Sequence, residues 1–413
     1  QAHRDMFLDD SGKVVPQLSI RGGLAVGVPG TVAGMQLALD KYGSMQRKHV
    51  MKPAIKLAKK GFTIPYDLAY SFGWLNKAAE GFDETRRIFC REGEIYMPGE
   101  IFKQPDLAKT LKLIQRKGNA GFYTGSVAEA LISSSSKYGG KLKLKDLTNY
   151  TAHIRKPVIG NYRGLEVLSM PPPSSGGIAL ISMLNMMEPM NFDSVGWHSA
   201  QHIQMLAEVE KRAYADRSVW LGDPDYFTVP QEKLLSKEYA TLRMVDYDSL
   251  IVTPSDSIYP LNDKDLAGIE LAGHESEETT HFSVVDKWGN AVSVTTTLNW
   301  SFGSYVTVKG FGFLLNNEMD DFSSKPGEPN SFGLIGNKAN AIEPKKRMLS
   351  SMTPTILAKD GKVVLIVGAP GGSTIITTVL QVINNMVDFE MPVQDAVNVP
   401  RFHHQWRPDV IHY

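Results

Sequence analysis

Three segments in the last third of the chain carry residue types that could do acyl-transfer chemistry. The first begins at Thr279, the second ends at Asn299, and the third, 316–321, holds asparagine and carboxylate side chains in one run. We interpret Thr279 as a residue that becomes a new N-terminus, because the α-amine of an N-terminal threonine can deprotonate its own hydroxyl. Local sequence leaves open the alternative that Thr279 is an ordinary threonine at the start of a strand.

Two polar turns near these segments predict the hairpins that would position them. One hairpin is expected from strands 282–285 and 291–297, and a second from strands 355–357 and 363–367. The second hairpin leads through a glycine-rich segment, residues 368–372, into apolar spacing typical of a helix. Glycine allows close backbone approach, and a helix N-terminus favours negative charge, so this segment could stabilise an oxyanion.

The first half of the chain shows the apolar spacing of helices, and a strand pattern between residues 155 and 170 follows them. Helices are predicted within 31–42, 52–60, 106–117, 126–135 and 199–216. Helices around antiparallel hairpins favour an α/β (α+β) layered sandwich over a doubly wound parallel sheet. The polar stretch 253–278 is expected to be an exposed, mobile connection before Thr279.

Composition excludes several function classes without choosing one. The chain has 413 residues with 44 basic and 44 acidic side chains, so no net field favours a nucleic-acid partner. No apolar run approaches the roughly 20 residues of a membrane span. Cys90 is the only cysteine and is expected to be a small, partly buried side chain. The adjacent His403 and His404 lack an accompanying carboxylate or cysteine cluster, so we expect no metal there.

Several separated motifs together resemble one known family, the gamma-glutamyltransferases (gamma-glutamyltranspeptidases). The matching segments run in order along practically the whole chain: 171–177, 214–218, 222–224, 279–281, 297–299, 316–321, 349–354, 370–373 and 400–406. The resemblance implies an N-terminal-nucleophile hydrolase with a four-layer αββα sandwich of two antiparallel sheets. It also implies that the chain cuts itself and needs no cofactor.

By this resemblance, the cleaved bond would join Glu278 to Thr279. The products would be a large-subunit portion, residues 1–278, and a small-subunit portion, residues 279–413, which together form one structural domain. The mature enzyme would act on a small γ-glutamyl compound such as glutathione and pass the γ-glutamyl group to water, an amino acid or a dipeptide. The family also implies export, to the periplasm or outside the cell.

The resemblance assigns roles around the nucleophile, although each residue has a plainer interpretation. Thr297 would orient the nucleophile, yet it also follows two threonines in a β-rich stretch. The backbone N–H groups of Gly371 and Gly372 would form the oxyanion hole. A phosphate cradle at residues 368–374 is a weak alternative, because no lysine precedes the Ser-Thr pair.

The family's substrate-binding positions also match residues of this chain. Asn299, Glu318 and Asp321 would accept hydrogen bonds from the substrate α-amino group. Ser350 and Ser351 would hold the α-carboxylate. Without the resemblance, the two carboxylates would be interpreted as solvated charges and the serines as part of a turn. Position 318 is glutamate here, whereas part of the family has glutamine.

Residues 326–341 resemble a lid loop that some family members place over the glutamyl pocket. Phe332 takes the gating position, where tyrosine is common. Phenylalanine cannot donate the hydrogen bond of a tyrosine hydroxyl, so we expect a less firmly closed lid and a preference for hydrolysis over transfer.

Two alternatives to a complete transferase remain open. Family members extend further at both ends, and their carboxylate-clamping arginine falls before the position of Gln1, so we expect this chain to be truncated. It could therefore be a remnant that keeps the fold without turnover. It could also be an acylase of the same superfamily that acts on β-lactam side chains or poly-γ-glutamate.

Overall fold

The computed structural model describes residues 2–261 and 279–413, apart from the side chain of Glu92. Its internal contacts divide the chain into two compact units. The first unit comprises Val15–Ile154 and Leu298–Met319, and the second comprises the described residues of Ala2–Val14, Arg155–Thr297 and Asp320–Tyr413. The predicted subunit portions, 1–278 and 279–413, each contribute to both units. The subunit boundary itself stays a prediction.

Helices make up most of the first unit, and four of them were predicted by their apolar spacing. They are α1 Thr31–Tyr42, α2 Arg47–Val50, α3 Lys52–Lys60, α4 Tyr66–Ala78, α5 Asp83–Phe89, α6 Pro105–Lys117, α7 Ala120–Tyr123, α8 Gly125–Lys137 and α9 Leu144–Thr148. Two short strands, β1 Phe62–Thr63 and β2 Ile101–Phe102, pair antiparallel. Common start and stop residues bound these helices. For example, α6 begins at a proline and ends before Gly118, whose φ is 59°.

An aromatic cluster fills the core of the first unit. The Phe72 ring lies 5.1 Å from that of Phe102 and 6.3 Å from that of Phe302, centroid to centroid. Phe302 thereby anchors the segment 298–319 to the helices of its own unit. Cys90 is buried in the same core, and burial raises the pKa of its thiol to about 11.

The second unit contains two antiparallel sheets. The larger has four strands in the order β3 Val158–Tyr162, β4 Leu165–Ser169, β7 Thr355–Lys359 and β8 Lys362–Val367. The smaller is the hairpin of β5 Thr280–Val285 and β6 Ala291–Thr296. The side chains of Ser283 and Ser293 donate to the carbonyls of Ile366 and Val367, so this hairpin packs against the end of β8.

Six helices complete the second unit: α10 Gly176–Met187, α11 Ala200–Trp220, α12 Gln231–Leu234, α13 Lys237–Arg243, α14 Ile375–Val387 and α15 Val393–Asn398. The fully buried α10 contacts β3 and β4 as well as α11 and α14. Ser199 caps α11, because its hydroxyl accepts the His202 N–H at 3.2 Å. The predicted class, α+β with antiparallel sheets and packed helices, is confirmed.

The stretch before Thr279 is only partly as expected. Residues 262–278 lie outside the described part of the chain, whereas 253–261 is packed in place. Ser255 and Ile258 are buried, and their carbonyls accept the indole N–H of Trp406 at 3.0 and 3.1 Å. The prediction of an exposed connection is therefore wrong for Ser255 and Ile258, whereas Pro254, Asp256 and Ser257 are exposed as expected. A buried indole needs acceptors, which this segment supplies. Among the described helices, none combines the length and apolarity that a membrane crossing needs.

Candidate active site

The hairpin β5–β6 brings the two predicted catalytic threonines together. Thr280 pairs with Thr296, and just beyond that pair the Thr279 hydroxyl donates to the Thr297 hydroxyl at 3.4 Å. Side chains alternate along a strand, so His281 lies on the same face as Thr279. Its Nδ1 lies 2.9 Å from Thr295 Oγ1, and burial lowers its pKa. Glu278, the other half of the predicted cleavage site, lies outside the described residues.

The predicted oxyanion hole lies in a tight turn between β8 and α14. Gly371 has φ 125°, and a Cβ there would collide with the Thr374 hydroxyl. The Gly371 carbonyl accepts the Thr374 N–H at 2.9 Å and the Thr374 hydroxyl at 2.8 Å. Gly372 opens the 3-10 turn Gly372–Thr374. Only glycine fits position 371 without strain, which agrees with close backbone approach to a reacting group.

Tyr214 of α11 holds this turn from behind. Its hydroxyl donates to the carbonyl of Ser373, the residue after Gly372, at 2.5 Å. Both Tyr214 and Ser373 are buried. The contact fixes the turn whose N–H groups are the proposed oxyanion donors. Sequence analysis assigned Tyr214 no role, although it belongs to one of the family motifs.

The serine pair predicted to hold a carboxylate is tied to the chain before α10. The Ser350 carbonyl accepts both the N–H and the hydroxyl of Ser175, each at 2.8 Å. The Ser350 N–H donates to the Pro173 carbonyl at 3.0 Å, and the Ser350 hydroxyl accepts the Met352 N–H at 3.1 Å. The segment 350–352 is thus held at several points, and its two hydroxyls have defined positions.

Arg217 is the second residue whose role sequence analysis missed. It is buried on α11, one turn beyond Tyr214. Its Nε donates to the Ser175 hydroxyl at 3.0 Å and its Nη2 to the Ser351 hydroxyl at 3.1 Å. The family motif at 214–218 was the available signal, but the spacing alone did not say what this arginine touches.

Asp321 lies in an electrostatic environment that disfavours its ionised form. Burial and the neighbouring Asp320 raise the pKa of its carboxyl, Arg217 lowers it, and the net value is about 8. An ammonium group bound at this carboxylate would restore the ionised form. Asp321 therefore has the character of a site for a cationic ligand group.

The predicted lid loop is fastened at Asp320. This carboxylate accepts the N–H of Ser331 at 3.1 Å and also its hydroxyl, next to Phe332. Phe332 is only 3% exposed, and its carbonyl accepts the Gln405 side-chain N–H at 3.2 Å. The loop is therefore closed onto its own unit in this structure.

Asn299 and Glu318, the other predicted amine-binding residues, belong to the first unit. Asn299 is buried with φ 75°, a left-handed conformation that asparagine tolerates, and its Nδ2 donates to the Asn317 carbonyl at 3.1 Å. The Glu318 N–H donates to Asn316 Oδ1 at 3.1 Å. Asn316 in turn exchanges two hydrogen bonds with the backbone of Gly27, at 2.9 and 3.0 Å.

The adjacent histidines bond to protein groups. His403 Nδ1 lies 2.8 Å from the Thr377 hydroxyl, and His404 Nε2 lies 3.0 Å from Asp409 Oδ1. Burial lowers the pKa of His403 to about 3 and that of His404 to about 4. Within residues 2–261 and 279–413, no cluster of three or more His, Cys, Asp and Glu side chains could hold a metal ion.

The antiparallel α+β fold is that of the N-terminal-nucleophile hydrolases, and comparison with known proteins gives the family. A sequence model described as gamma-glutamyltranspeptidase matches residues 1–413. The chain is 48% identical over 412 residues to the glutathione hydrolase proenzyme of Escherichia coli (strain K12), a match that covers 99% of this chain and 69% of that protein. The chain therefore belongs to the gamma-glutamyltranspeptidase family of enzymes.

Solved structures of a gamma-glutamyltranspeptidase and of an acylase are also similar to this chain. The gamma-glutamyltranspeptidase of Helicobacter pylori matches with a TM-score of 0.61 and 43% identity, over 62% of this chain and 74% of that one. The cephalosporin acylase of Bacillus halodurans matches with a TM-score of 0.78 and 25% identity, over 93% of this chain and 67% of that one. Both similarities agree with the antiparallel α+β fold.

Proposed function

We propose that the chain is a self-processing γ-glutamyl hydrolase or transferase with Thr279 as its nucleophile. The observation that carries the proposal is the hydroxyl contact between Thr279 and Thr297 at the open end of the β5–β6 hairpin. The hairpin packs against the end of β8, the strand that leads into the Gly371–Gly372 turn. Family membership and the name proenzyme of the Escherichia coli relative support the same conclusion.

Maturation would use the same hydroxyl as turnover. Thr279 Oγ attacks the carbonyl carbon of Glu278, the Glu278–Thr279 amide bond breaks, and an ester forms at Oγ. Water then hydrolyses this ester, releasing Glu278 as a carboxylate and leaving Thr279 with a free α-amine. The products are the large-subunit portion 1–278 and the small-subunit portion 279–413.

In turnover, the α-amine of Thr279 takes the hydroxyl proton as Oγ attacks the γ-carbonyl of the substrate. The backbone N–H groups of Gly371 and Gly372 stabilise the oxyanion. Collapse of the tetrahedral intermediate expels the amine, which receives the proton, and leaves a γ-glutamyl ester on Thr279. Water or the amine of an amino acid or dipeptide then takes the γ-glutamyl group. An unperturbed α-amine has a pKa of roughly 7.7–8.0 and acts as a base only when neutral, so activity rises through neutral pH.

Substrate recognition would divide between the two charged groups on the glutamyl α-carbon. The resemblance assigns Asn299, Glu318 and Asp321 to the α-ammonium group. Of these, Asp321 lies in the second unit with Ser350 and Ser351, whose hydroxyls would donate to the α-carboxylate. The raised pKa of Asp321 supports a cationic partner. The relative named glutathione hydrolase makes glutathione the first substrate to test. We place the enzyme in the periplasm or outside the cell, as the family resemblance implies.

We further propose that hydrolysis predominates over transfer. Phe332 would take the gating position without a side-chain hydroxyl, so the loop would be held there only by contacts of neighbouring groups such as Ser331 with Asp320, and water would reach the ester more easily. Adding glycylglycine to the reaction is therefore expected to raise the rate only slightly. A large increase would contradict this preference.

An acylase function is the second candidate, since the fold also matches a cephalosporin acylase. Relative rates on glutathione, a glutaryl amide and poly-γ-glutamate separate the candidates. Fastest turnover of glutathione supports the γ-glutamyl hydrolase. Fastest turnover of the glutaryl amide would favour the acylase, because that substrate lacks the α-amine for which Asp321 is proposed.

Intact mass spectrometry tests the central proposal directly. We expect two pieces divided between Glu278 and Thr279, a single uncut piece for Thr279→Ala, and slower cutting for Thr279→Ser. Thr280→Ala is the matched control, because Thr280 is exposed and points to the other face of β5. A wild-type chain that stays uncut and inactive on all three substrates would instead indicate a non-catalytic member of the family.

A further inference from the structure

We propose that Arg217 is a positioning residue for recognition of the substrate α-carboxylate: its guanidinium holds the Ser350–Ser351 segment so that the Ser351 hydroxyl donates to that carboxylate. The inference rests on the proposed γ-glutamyl function. It assigns a task to a buried arginine, a charge whose removal from water is costly. Arg217 itself is not proposed to touch the substrate.

The Arg217 guanidinium is linked to Ser351 by a direct hydrogen bond and to Ser350 through the hydroxyl of Ser175. Nη2 donates directly to the Ser351 hydroxyl at 3.1 Å. Nε donates to the Ser175 hydroxyl at 3.0 Å, and that hydroxyl passes its own hydrogen to the Ser350 carbonyl at 2.8 Å. One planar group therefore fixes the backbone of Ser350 and the side chain of Ser351 at once.

The direction of these hydrogen bonds decides what Ser351 can do. A guanidinium has only donors, so the Ser351 hydroxyl must be the acceptor in its contact with Arg217. Its own hydrogen is then available to donate elsewhere. A nearby positive charge also polarises the hydroxyl and makes it a better donor to an anion. A carboxylate, which only accepts, is the ligand group that suits this arrangement.

The packing around Arg217 leaves little freedom for another arrangement. Arg217 is 4% exposed and Ser175 is completely buried. At the start of α10, a Cβ on Gly176 would collide with the Thr353 hydroxyl, so the chain after Ser175 lies directly against the segment that follows Ser351. A shorter or differently shaped side chain at position 217 cannot be compensated by a small shift of these neighbours.

The inference predicts a change in ligand discrimination and not merely in stability. L-glutamate and 4-aminobutyrate share an amine and a terminal carboxylate, but only L-glutamate has the α-carboxylate. Binding of each to the whole protein can be measured by isothermal titration calorimetry. For Arg217→Gln we expect the preference for L-glutamate to fall about tenfold, the size of one lost charge-assisted hydrogen bond.

Two further variants separate positioning from charge and from misfolding. Arg217→Lys keeps the charge but loses the planar fork, so its preference should fall as in Arg217→Gln. Ser175→Ala removes the hydroxyl that links Arg217 to the Ser350 carbonyl, with a minimal change of volume, and should lower the same preference. This variant keeps the test decisive if the arginine variants do not fold.

Arg212→Gln is the matched control. Arg212 is another buried arginine of α11, and it forms ion pairs with Glu208 and Asp246 instead of bonding to the serine pair. This variant should lose stability and keep the wild-type preference for L-glutamate.

The outcomes distinguish this inference from the proposed function. If the wild-type protein prefers L-glutamate and the Arg217 variants do not, the inference holds even where no turnover is detected. It is overturned if Arg217→Lys or Ser175→Ala keeps the wild-type preference, or if the wild-type protein binds both ligands equally, whether or not the enzyme turns over glutathione.

Discussion

The hydroxyls of Thr279 and Thr297 lie 3.4 Å apart, one just before β5 and the other just after β6. The contact follows from the register of the hairpin, in which Thr280 faces Thr296. A hydroxyl that donates to a fixed partner has a defined orientation. In the proposed mechanism, Thr297 would thereby direct the Thr279 oxygen towards a carbonyl carbon during both cleavage and turnover.

Removing the Thr297 hydroxyl should slow both reactions. For Thr297→Ala we expect self-cleavage and kcat to fall about tenfold, in keeping with one lost hydrogen bond. Thr297→Ser should recover most of the loss, because it restores the oxygen. Time courses of intact mass and of glutathione hydrolysis measure the two rates.

Thr296→Ala is the control for this prediction. Thr296 is the preceding residue, but its side chain points to the opposite face of the hairpin. Both rates should stay near the wild-type values. Equal losses in the two variants would mean that the hairpin responds as a whole and that Thr297 has no specific role.

Tyr214→Phe should lower kcat and leave KM unchanged. The lost hydroxyl donates to the Ser373 carbonyl, so its removal loosens the turn that carries the proposed oxyanion donors and leaves the proposed carboxylate site unchanged. We expect a decrease of about tenfold in kcat. Steady-state kinetics on glutathione check the prediction.

Tyr239→Phe provides a control of the same chemistry. Tyr239 is also buried, and its hydroxyl donates to Asp216 Oδ2 at 2.8 Å. The variant should lose stability while kcat stays near the wild-type value. If Tyr214→Phe instead raised KM and left kcat unchanged, the proposed role of Tyr214 in the oxyanion turn would be contradicted.

Asp321 makes stability depend on pH. Its folded-state pKa is raised from 3.8 to about 8, so between these values the folded protein keeps a proton that the unfolded chain has lost. The contribution of Asp321 to the free energy of unfolding is therefore highest below pH 3.8 and decreases as the pH rises to about 8. Because the residue is partly exposed, solvent reduces the effect.

Thermal unfolding of Asp321→Asn tests this linkage. The variant should have a higher Tm than wild type, by a larger margin at about pH 8 than at about pH 5. It should also lose glutathione hydrolysis. Asp286→Asn is the control, since hydrogen bonds with Asn290 lower the pKa of Asp286 and the variant should lose stability equally at both pH values. A constant margin for Asp321→Asn would contradict the raised pKa.

Ser331→Ala should open the lid loop. The Ser331 hydroxyl donates to the Asp320 carboxylate, as the Ser331 N–H does, and loss of the hydroxyl weakens the attachment of the loop beside Phe332. We expect faster limited proteolysis within residues 326–341. Glu328→Gln, which breaks only an exposed ion pair with Lys325, should be cut at the wild-type rate. Equal proteolysis of both variants would show that Asp320 does not fasten the loop.

The sequence by itself determined the local elements and the class of chemistry. Turn residues and alternating patterns predicted hairpins at 282–297 and 355–367, which the structure forms at 280–296 and 355–367, and apolar spacing placed α1 and α3 at their observed bounds. These signals are local, because a turn type or a helical face depends on residues only a few positions apart. The ordered series of motifs likewise sufficed for the family.

The tertiary structure alone decided which side chains support the site. Arg217 meets Ser351 across 134 positions of sequence, and Tyr214 meets Ser373 across 159. Trp406 likewise bonds to the carbonyls of Ser255 and Ile258, two buried residues within a stretch that sequence polarity had predicted to be exposed. No local pattern encodes such contacts, because they depend on how helices and sheets pack and on which buried polar groups then require partners.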